Sequence, residues 1–363
     1  LGGAGLVELK AAVALDVSSA IGRGRSRKEW TAQGIKRRII QGEHGMKKKV
    51  AMLLGLLMAA SAVMGCSTEE LYAEVSTEVE AYNAAVAAYN DQVAQYNEAV
   101  GSIKDENKVL TVELGNAQTA INGDGEPYDG ATLVDLKNAM AGLESAKVEE
   151  PALLEEEPTV EINAEMSRDE LNQIKEEIAE RSAQLNEKAI PEAPSKPDYA
   201  NALEELRNAL QSYQTSVQSL NQITAPADEF VIERLQGVDT ITKIEAVTED
   251  HDPNGQLNKQ GGYIGCIYFR DNQIDADSLY LEGGEEDVIE IGTVGGGAIE
   301  IFQTPEEAEA RNQYLAGFDG AGFLSSGSHQ VEGTLVVRTS DDLTATQQKE
   351  LTEKIVAALI DLR

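Results

Sequence analysis

The segment 250–261 holds a run of side chains that could bind a metal ion. Its oxygen-bearing side chains alternate along the chain: Asp250, Asp252, Asn254, Gln256 and Asn258. Oxygen ligands at alternate positions can surround a Ca²⁺ ion, and Gly255 allows the sharp turn that such a loop needs. The sequence therefore predicts these five residues as candidate calcium ligands.

The same segment resembles an EF-hand loop, with Gly255 at position 6 and Leu257 at position 8. It departs from that motif at position 12, where Gly261 replaces the bidentate glutamate, and at Pro253. The alternative interpretation is a long hairpin loop that uses Pro-Asn-Gly turn chemistry and binds no metal. A loop without its bidentate ligand should bind Ca²⁺ weakly.

A second group with its own chemistry is the thiol of Cys66, one of two cysteines in the chain. It ends a stretch that opens with a lysine cluster at 47–49, continues with an apolar run and finishes in small residues. The apolar run is shorter than the roughly 20 residues that a membrane-spanning helix needs. The stretch 46–65 is therefore predicted to be a secretory signal peptide.

The residues Val63-Met64-Gly65-Cys66 resemble the bacterial lipobox, with Met64 as a departure because that position is usually small. The resemblance implies that Cys66 receives a diacylglyceryl group and becomes the mature N-terminus. It also implies a protein anchored by lipid to the extracytoplasmic face of the cell membrane. Since Cys66 is then acylated, Cys266 has no partner for an intramolecular disulfide.

Residues 1–45 are interpreted as an untranslated leader or a disordered arm. The codons of Gln41-Gly42-Glu43 can spell a purine run like a ribosome-binding site, just upstream of the Met46 codon. The alternative is a basic arm that is part of the protein.

A regular apolar pattern begins after the signal peptide. Its members follow one another at spacings of three and four: Tyr72, Val75, Val79, Tyr82, Val86, Tyr89, Val93, Tyr96, Val100 and Ile103. Such a heptad seam predicts a coiled-coil or bundle helix over 66–109, which could also join identical chains into a homo-oligomer. Because the flanking positions lack Glu/Lys pairs, we expect the seam to pack against the helical hairpin predicted over 166–224.

Between these helices, the segment 110–150 predicts helix, turn and helix. It is similar to the helical FIVAR module of Gram-positive surface proteins, including extracellular-matrix-binding ones. Residues 151–165 are predicted to be an acidic, solvated linker because the run Glu155-Glu156-Glu157 lies between prolines.

The composition changes near residue 225 to glycine-rich and β-branched stretches, which predicts a C-terminal α+β domain over 225–363. Strands are predicted at 241–247, 263–270, 288–291, 298–302 and 330–338. Helices are predicted at 227–236, after Thr304-Pro305 and after Thr344. The fold class is therefore α+β: a long helical coiled-coil or bundle stalk, then an antiparallel sheet with helices on one face.

Catalytic residues are few. Cys266 lies in the middle of a predicted strand, where a lone cysteine is usually inert, and Ser328-His329 has no recognisable partner. The head, around Asp250-His251-Asp252 and Val337-Arg338, resembles a domain of uncharacterised lipoproteins from gut Firmicutes and Actinobacteria. That resemblance implies a location rather than an activity.

Charge narrows the set of partners. The chain has 30 Lys+Arg against 63 Asp+Glu, a net charge of -33, so nucleic acid is not an expected ligand. We expect a non-enzymatic, lipid-anchored surface lipoprotein whose head binds a surface protein, cell-wall or matrix ligand, with no certain cofactor and calcium as the candidate. The alternatives are a membrane-anchored hydrolase with a site near His329 or the 250–258 loop, and a solute-binding lipoprotein.

Overall fold

The computed structural model describes residues 67–275, 279, 287–319 and 327–363. The predicted leader, the signal peptide and Cys66 lie outside the described residues. Within them the chain forms helices and a five-stranded antiparallel sheet, which confirms the mixed α+β class. None of the helices in this part of the chain is both long and apolar enough to cross a membrane.

The elements follow one another in a simple order. The helices are α1 Thr68–Gly123, α2 Gly130–Ala146, α3 Arg168–Glu187, α4 Ala200–Gln222, α5 Asp228–Leu235, α6 Val288–Ile291, α7 Pro305–Ala316 and α8 Ala345–Ile360. The strands are β1 Ile241–Ala246, β2 Gly265–Asp271, β3 Gly296–Ile301, β4 Ser328–Glu332 and β5 Leu335–Thr339. The chain divides into two compact units, Leu1–Gly101 with Pro151–Ser195, and Ser102–Glu150 with Lys196–Arg363.

In the first unit, α1 begins directly after Ser67, whose hydroxyl accepts a hydrogen bond from the Glu70 amide at 3.3 Å. The Glu70 carboxylate accepts the Ser67 amide at 2.9 Å, which completes a capping box. The predicted seam is buried as expected, and its first half packs against α3 of the same chain: Leu71, Val75, Val79, Tyr82 and Val86 against Leu171, Ile178 and Leu185. A long two-stranded coiled coil is not seen in the described residues.

An extended segment, residues 151–162, runs along the same part of α1 and is called the strap below. Three asparagines at heptad spacing bind it through both atoms of the side-chain amide. Each Nδ2 donates to a strap carbonyl and each Oδ1 accepts from the amide of the same residue, at 2.7–2.9 Å: Asn83 with Val160, Asn90 with Glu157, and Asn97 with Leu154.

Every third residue of the strap is partly or fully buried, and the residues between them are exposed. The buried positions are Pro151, Leu154, Glu157 and Val160. Three residues make one turn of a polyproline II helix, about 9.3 Å, and seven residues of α-helix rise about 10.5 Å, so the two repeats nearly match. Polyproline II backbone makes no internal hydrogen bonds, so its polar groups are free for the asparagines. The segment predicted as a solvated linker is therefore attached along its length, although it forms no helix or strand.

In the second unit, the end of α1 packs with α2 and α4 as a three-helix bundle. Leu110, Leu136, Leu143, Leu206 and Tyr213 are among its buried residues. The helix, turn and helix predicted over 110–150 are present, but α1 continues without a break through the expected boundary at 109 and ends at Gly123. Both helices predicted within 166–224 are present, and the proline-containing segment between them is not helical.

The sheet has the strand order β1-β2-β3-β5-β4, and all neighbouring strands are antiparallel. One face packs against α5 and α8 through residues such as Phe269, Ile299 and Val337. The other face packs against α6 and α7 through residues such as Tyr268 and Val336. The expectation of helices on one face is therefore wrong, because β2, β3 and β5 are buried on both sides.

Two of the five predicted strands differ in the structure. Residues 288–291 form α6 because the Asp287 carboxylate accepts the amides of Ile289 and Glu290, at 2.9 and 3.1 Å, and so starts a helix. Residues 330–338 contain a hairpin, β4 and β5, because Gly333 adopts a φ of 60°, which an ordinary strand residue would not.

The composition change near residue 225 marks the start of the sheet, but the bundle and the sheet belong to one compact unit. The Tyr128 hydroxyl donates to the buried Glu332 carboxylate at 2.6 Å, and Ser219 donates to the Ile360 carbonyl at 2.9 Å. These bonds, made across long stretches of sequence, hold the α2 turn and α4 against the sheet domain.

Candidate functional site

A buried charged cluster lies on the sheet face that α7 covers. Glu300 of β3 has no exposed surface. Its carboxylate accepts Arg311 Nε at 2.6 Å and Arg311 Nη2 at 2.8 Å, and it also accepts Arg338 Nη1 at 2.8 Å. Two guanidinium groups therefore share one carboxylate.

Local sequence positions each member. Alternation along β3 sends Ile299 and Ile301 to one face and Glu300 to the other. Thr304 caps α7 by accepting the Glu307 amide, and Pro305 occupies the first turn, so the helix starts at a fixed point. From this helix the Arg311 side chain reaches back to Glu300. Arg338 of β5 is paired with Ala298 of β3, two residues before Glu300, so its side chain lies on the same face as the carboxylate.

The electrostatics favour an ionised cluster. Burial alone would raise the pKa of Glu300, but the hydrogen bonds from Arg311 and the charge of Arg338 outweigh burial and lower it. Arg338 is 8% exposed, and its Nε is buried without a hydrogen-bond partner. The cluster therefore combines a fully used carboxylate with an incompletely used guanidinium.

The predicted calcium loop lies next to this face and is bonded to the sheet. Asp252 accepts the Leu257 amide at 2.8 Å, the Asn254 amide at 3.1 Å and the Tyr263 hydroxyl. Burial would raise the pKa of Asp252, but the hydrogen bonds from Leu257 and Tyr263 lower it overall. The side-chain Nδ2 of Asn254 donates to the Tyr268 hydroxyl at 2.9 Å. Asp252 and Asn254 thus hold the loop in place.

No side-chain hydrogen bond joins the other three predicted ligands to Asp252, although the Gln256 backbone amide helps to lower the pKa of Asp252. Asp250 is exposed, Gln256 donates to the Asn254 carbonyl at 3.4 Å, and Asn258 adopts a φ of 58°. Across the described ranges, no group of three or more His, Cys, Asp or Glu residues is arranged to hold a metal ion. The hydrogen bonds of Asp252 and Asn254 fit the hairpin alternative, and the calcium interpretation stays a prediction.

A calcium titration separates the two interpretations of the loop. Because both Asp252 oxygens already accept hydrogen bonds from the loop and Tyr263, we expect the same melting temperature in millimolar Ca²⁺ and in excess chelator. Thermal unfolding followed by circular dichroism measures this, with Mg²⁺ as the ionic-strength control. A Ca²⁺-specific rise that Asp250→Asn removes would establish the calcium site instead.

Cys266 and His329, two residues whose side chains could take part in catalysis, lie in β2 and β4. Cys266 is fully buried, and burial raises the pKa of its thiol well above the usual value. His329 is bonded through Nδ1 to the Asn312 side chain at 2.6 Å and through Nε2 to Asp319 at 3.3 Å. The imidazole is thus bound to side chains of α7 and the turn after it.

The helical bundle carries an open groove of about 540 Å³ between the start of α2 and the outer face of α4. Hydroxyl and amide side chains line most of it, with Tyr128 at one end. Such a surface can exchange hydrogen bonds with a polar ligand, and it offers no cation for an anionic one.

The charged cluster was missed by the sequence reasoning. A signal was present: Glu300 interrupts the otherwise apolar predicted strand 298–302, and Arg338 directly follows the apolar run 335–337. A charge inside a buried strand needs a partner, so two such residues on different strands could have been read as a pair.

Comparisons of the chain with protein-family models, with curated proteins and with solved structures gave no match.

Proposed function

We propose that the protein is a lipid-anchored cell-surface lipoprotein that presents its α+β head as a binding domain on a helical stalk, without enzymatic activity. The observation that carries this is the position of Cys66. It follows a signal-type stretch and immediately precedes Ser67, the cap of α1. Acylation there would attach the lipid one residue from the start of a 56-residue helix.

The chemistry follows from the lipobox resemblance. The Cys66 sulfur forms a thioether with the diacylglyceryl group of a phospholipid, whose phosphate headgroup leaves. Water then cleaves the peptide bond between Gly65 and Cys66. The strongly negative chain is repelled by an anionic membrane surface, which favours a head held away from it.

Binding rather than catalysis is favoured by the head itself. The thiol of Cys266 is fully buried and the imidazole of His329 is bonded to the Asn312 side chain, so neither group is free to attack a substrate. The polar groove of the helical bundle, beside α4, supports recognition of a polar ligand, and the buried Nε of Arg338, which has no partner, supports a binding role for the head. A surface protein, cell-wall or matrix ligand remains the proposed partner class.

Replacement of Cys66 by serine tests the anchor. Serine keeps the size of the residue but cannot form the thioether, so we expect the variant to move from the membrane fraction to the soluble or secreted fraction. Cys266→Ser is the matched control and should stay with the membrane. If Cys66→Ser also stays membrane-bound under high salt and carbonate washing, the anchor proposal is wrong.

A further inference from the structure

The guanidinium of Arg338 has one edge without a partner. Its Nη1 donates to Glu300 at 2.8 Å, while its Nε is buried and bonds to nothing in the described structure. No hydrogen bond joins Nη2 to another described residue, and Nε is the one nitrogen of this side chain that is fully buried without a partner there. Buried donors are almost always paired, so an open, largely buried guanidinium edge requires an explanation.

In Arg311, the corresponding edge of the guanidinium, formed by Nε and Nη2, is occupied by a carboxylate. Its Nε and Nη2 together bind the two oxygens of Glu300, at 2.6 and 2.8 Å. The same edge of Arg338 is therefore matched in shape to a second carboxylate, which the cluster does not contain.

The charges point to the same ligand class. Glu300 carries one negative charge and contacts two guanidinium groups, which leaves an excess positive charge in a buried place. A buried charge without a counter-charge lowers the stability of the fold. An excess of positive charge is also unusual in this chain, which has a net charge of -33. An incoming anion would balance the cluster.

We infer that the Nε–Nη2 edge of Arg338 binds the carboxylate group of a small ligand on the sheet face covered by α7. The ligand is small because the Arg338 side chain is only 10% exposed. The neighbours of Arg338 in the register are Ala298 on one side, whose methyl group takes little room, and His329 on the other. The inference rests on the head being the binding domain, and it does not depend on acylation of Cys66.

Acetate is the probe for the test. We expect acetate to raise the melting temperature of the full chain in a saturable way, beyond sodium chloride at equal ionic strength. Arg338→Lys keeps the charge and the contact with Glu300 but loses the planar edge, so it should weaken acetate binding by about tenfold or more. Arg207→Lys, which alters a guanidinium paired with Glu113 on the helical bundle, is the matched control and should keep the response.

A direct measurement covers the case in which the lysine variant does not fold. In ¹⁵N-arginine-labelled wild-type chain, the Nε–H signal of Arg338 should shift on acetate addition and become protected from exchange with water. The Cys66→Ser chain should give the same shift, which separates this inference from the anchor proposal. The inference is overturned if acetate acts like chloride, if only phosphate acts, or if Arg338→Lys responds like wild type.

Discussion

Replacing Glu300 by glutamine should lower the free energy of unfolding by about 3–5 kcal/mol. Glutamine keeps the shape of the side chain but removes the charge that Arg311 and Arg338 share. One buried guanidinium group and one partly buried one then face a neutral amide, and the cost of their desolvation is no longer offset. Urea denaturation followed by circular dichroism measures the change.

Glu309→Gln is the matched control for this prediction. Glu309 is an exposed residue of α7, two positions before Arg311, and its carboxylate accepts a hydrogen bond from the Gln313 side chain. Its replacement should change stability by less than about 0.5 kcal/mol. If Glu300→Gln were equally mild, the cluster would not be the buried, charged unit that the geometry describes.

The pH dependence of stability gives an independent check on the same carboxylate. The pKa of Glu300 is lowered in the folded chain, so its contribution is present above the unfolded value, about 4.3, and is lost as the pH falls through the folded value. We expect the wild type to lose more stability than Glu300→Gln over that acidic range. Parallel pH profiles for the two chains would contradict this assignment.

Replacing the three strap-binding asparagines by alanine should destabilise the first unit by about 3–6 kcal/mol, or about 1–2 kcal/mol for each side chain. Each of Asn83, Asn90 and Asn97 makes two hydrogen bonds to the strap, and alanine can make neither. The strap should then leave α1 before the helices unfold. Cleavage by a Glu-specific protease at Glu155 and Glu156 should become much faster.

Gln92→Ala is the control for the asparagine variants. Gln92 lies on α1 and is exposed, and its side chain bonds only to the Ala88 carbonyl of the same helix. Its loss should leave both the unfolding free energy and the cleavage rate nearly unchanged. Equal cleavage rates in the triple variant and the wild type would mean that the asparagines do not retain the strap.

Much of the fold could be predicted because it is encoded locally. The spacing of Val75, Val79 and Val86 identifies the buried side of α1 without knowledge of its partner. Thr344 and Gln347 form the capping box that the sequence predicts before α8. Periodicity and caps depend on residues a few positions apart, so one sequence is enough to read them.

The strap and the charged cluster depend on distant residues and could not be read in the same way. Asn83 bonds to a residue 77 positions later, and Asn97 to one 57 positions later. The heptad spacing of the asparagines was visible, but the extended segment that matches it has no hydrophobic period. Glu300 likewise meets Arg338 38 positions later, through the register of two strands.

The calcium site expected in the loop 250–261 stays a prediction. The segment around Asp252 is a structured loop, but its carboxylate serves Leu257 and Tyr263, because backbone amides and a buried hydroxyl also need acceptors. A list of oxygen-bearing residues does not reveal which oxygens are already used. Arg338 combines burial, charge and a donor without a partner. It lies in a strand for which the sequence predicted no functional role.

The mass of the N-terminal peptide from membrane-extracted protein tests the proposed anchor most directly. The account predicts that this peptide begins at Cys66 and carries a diacylglyceryl group on its sulfur. A peptide with an unmodified Cys66 thiol, or one in which Gly65 is still joined to Cys66, would contradict it.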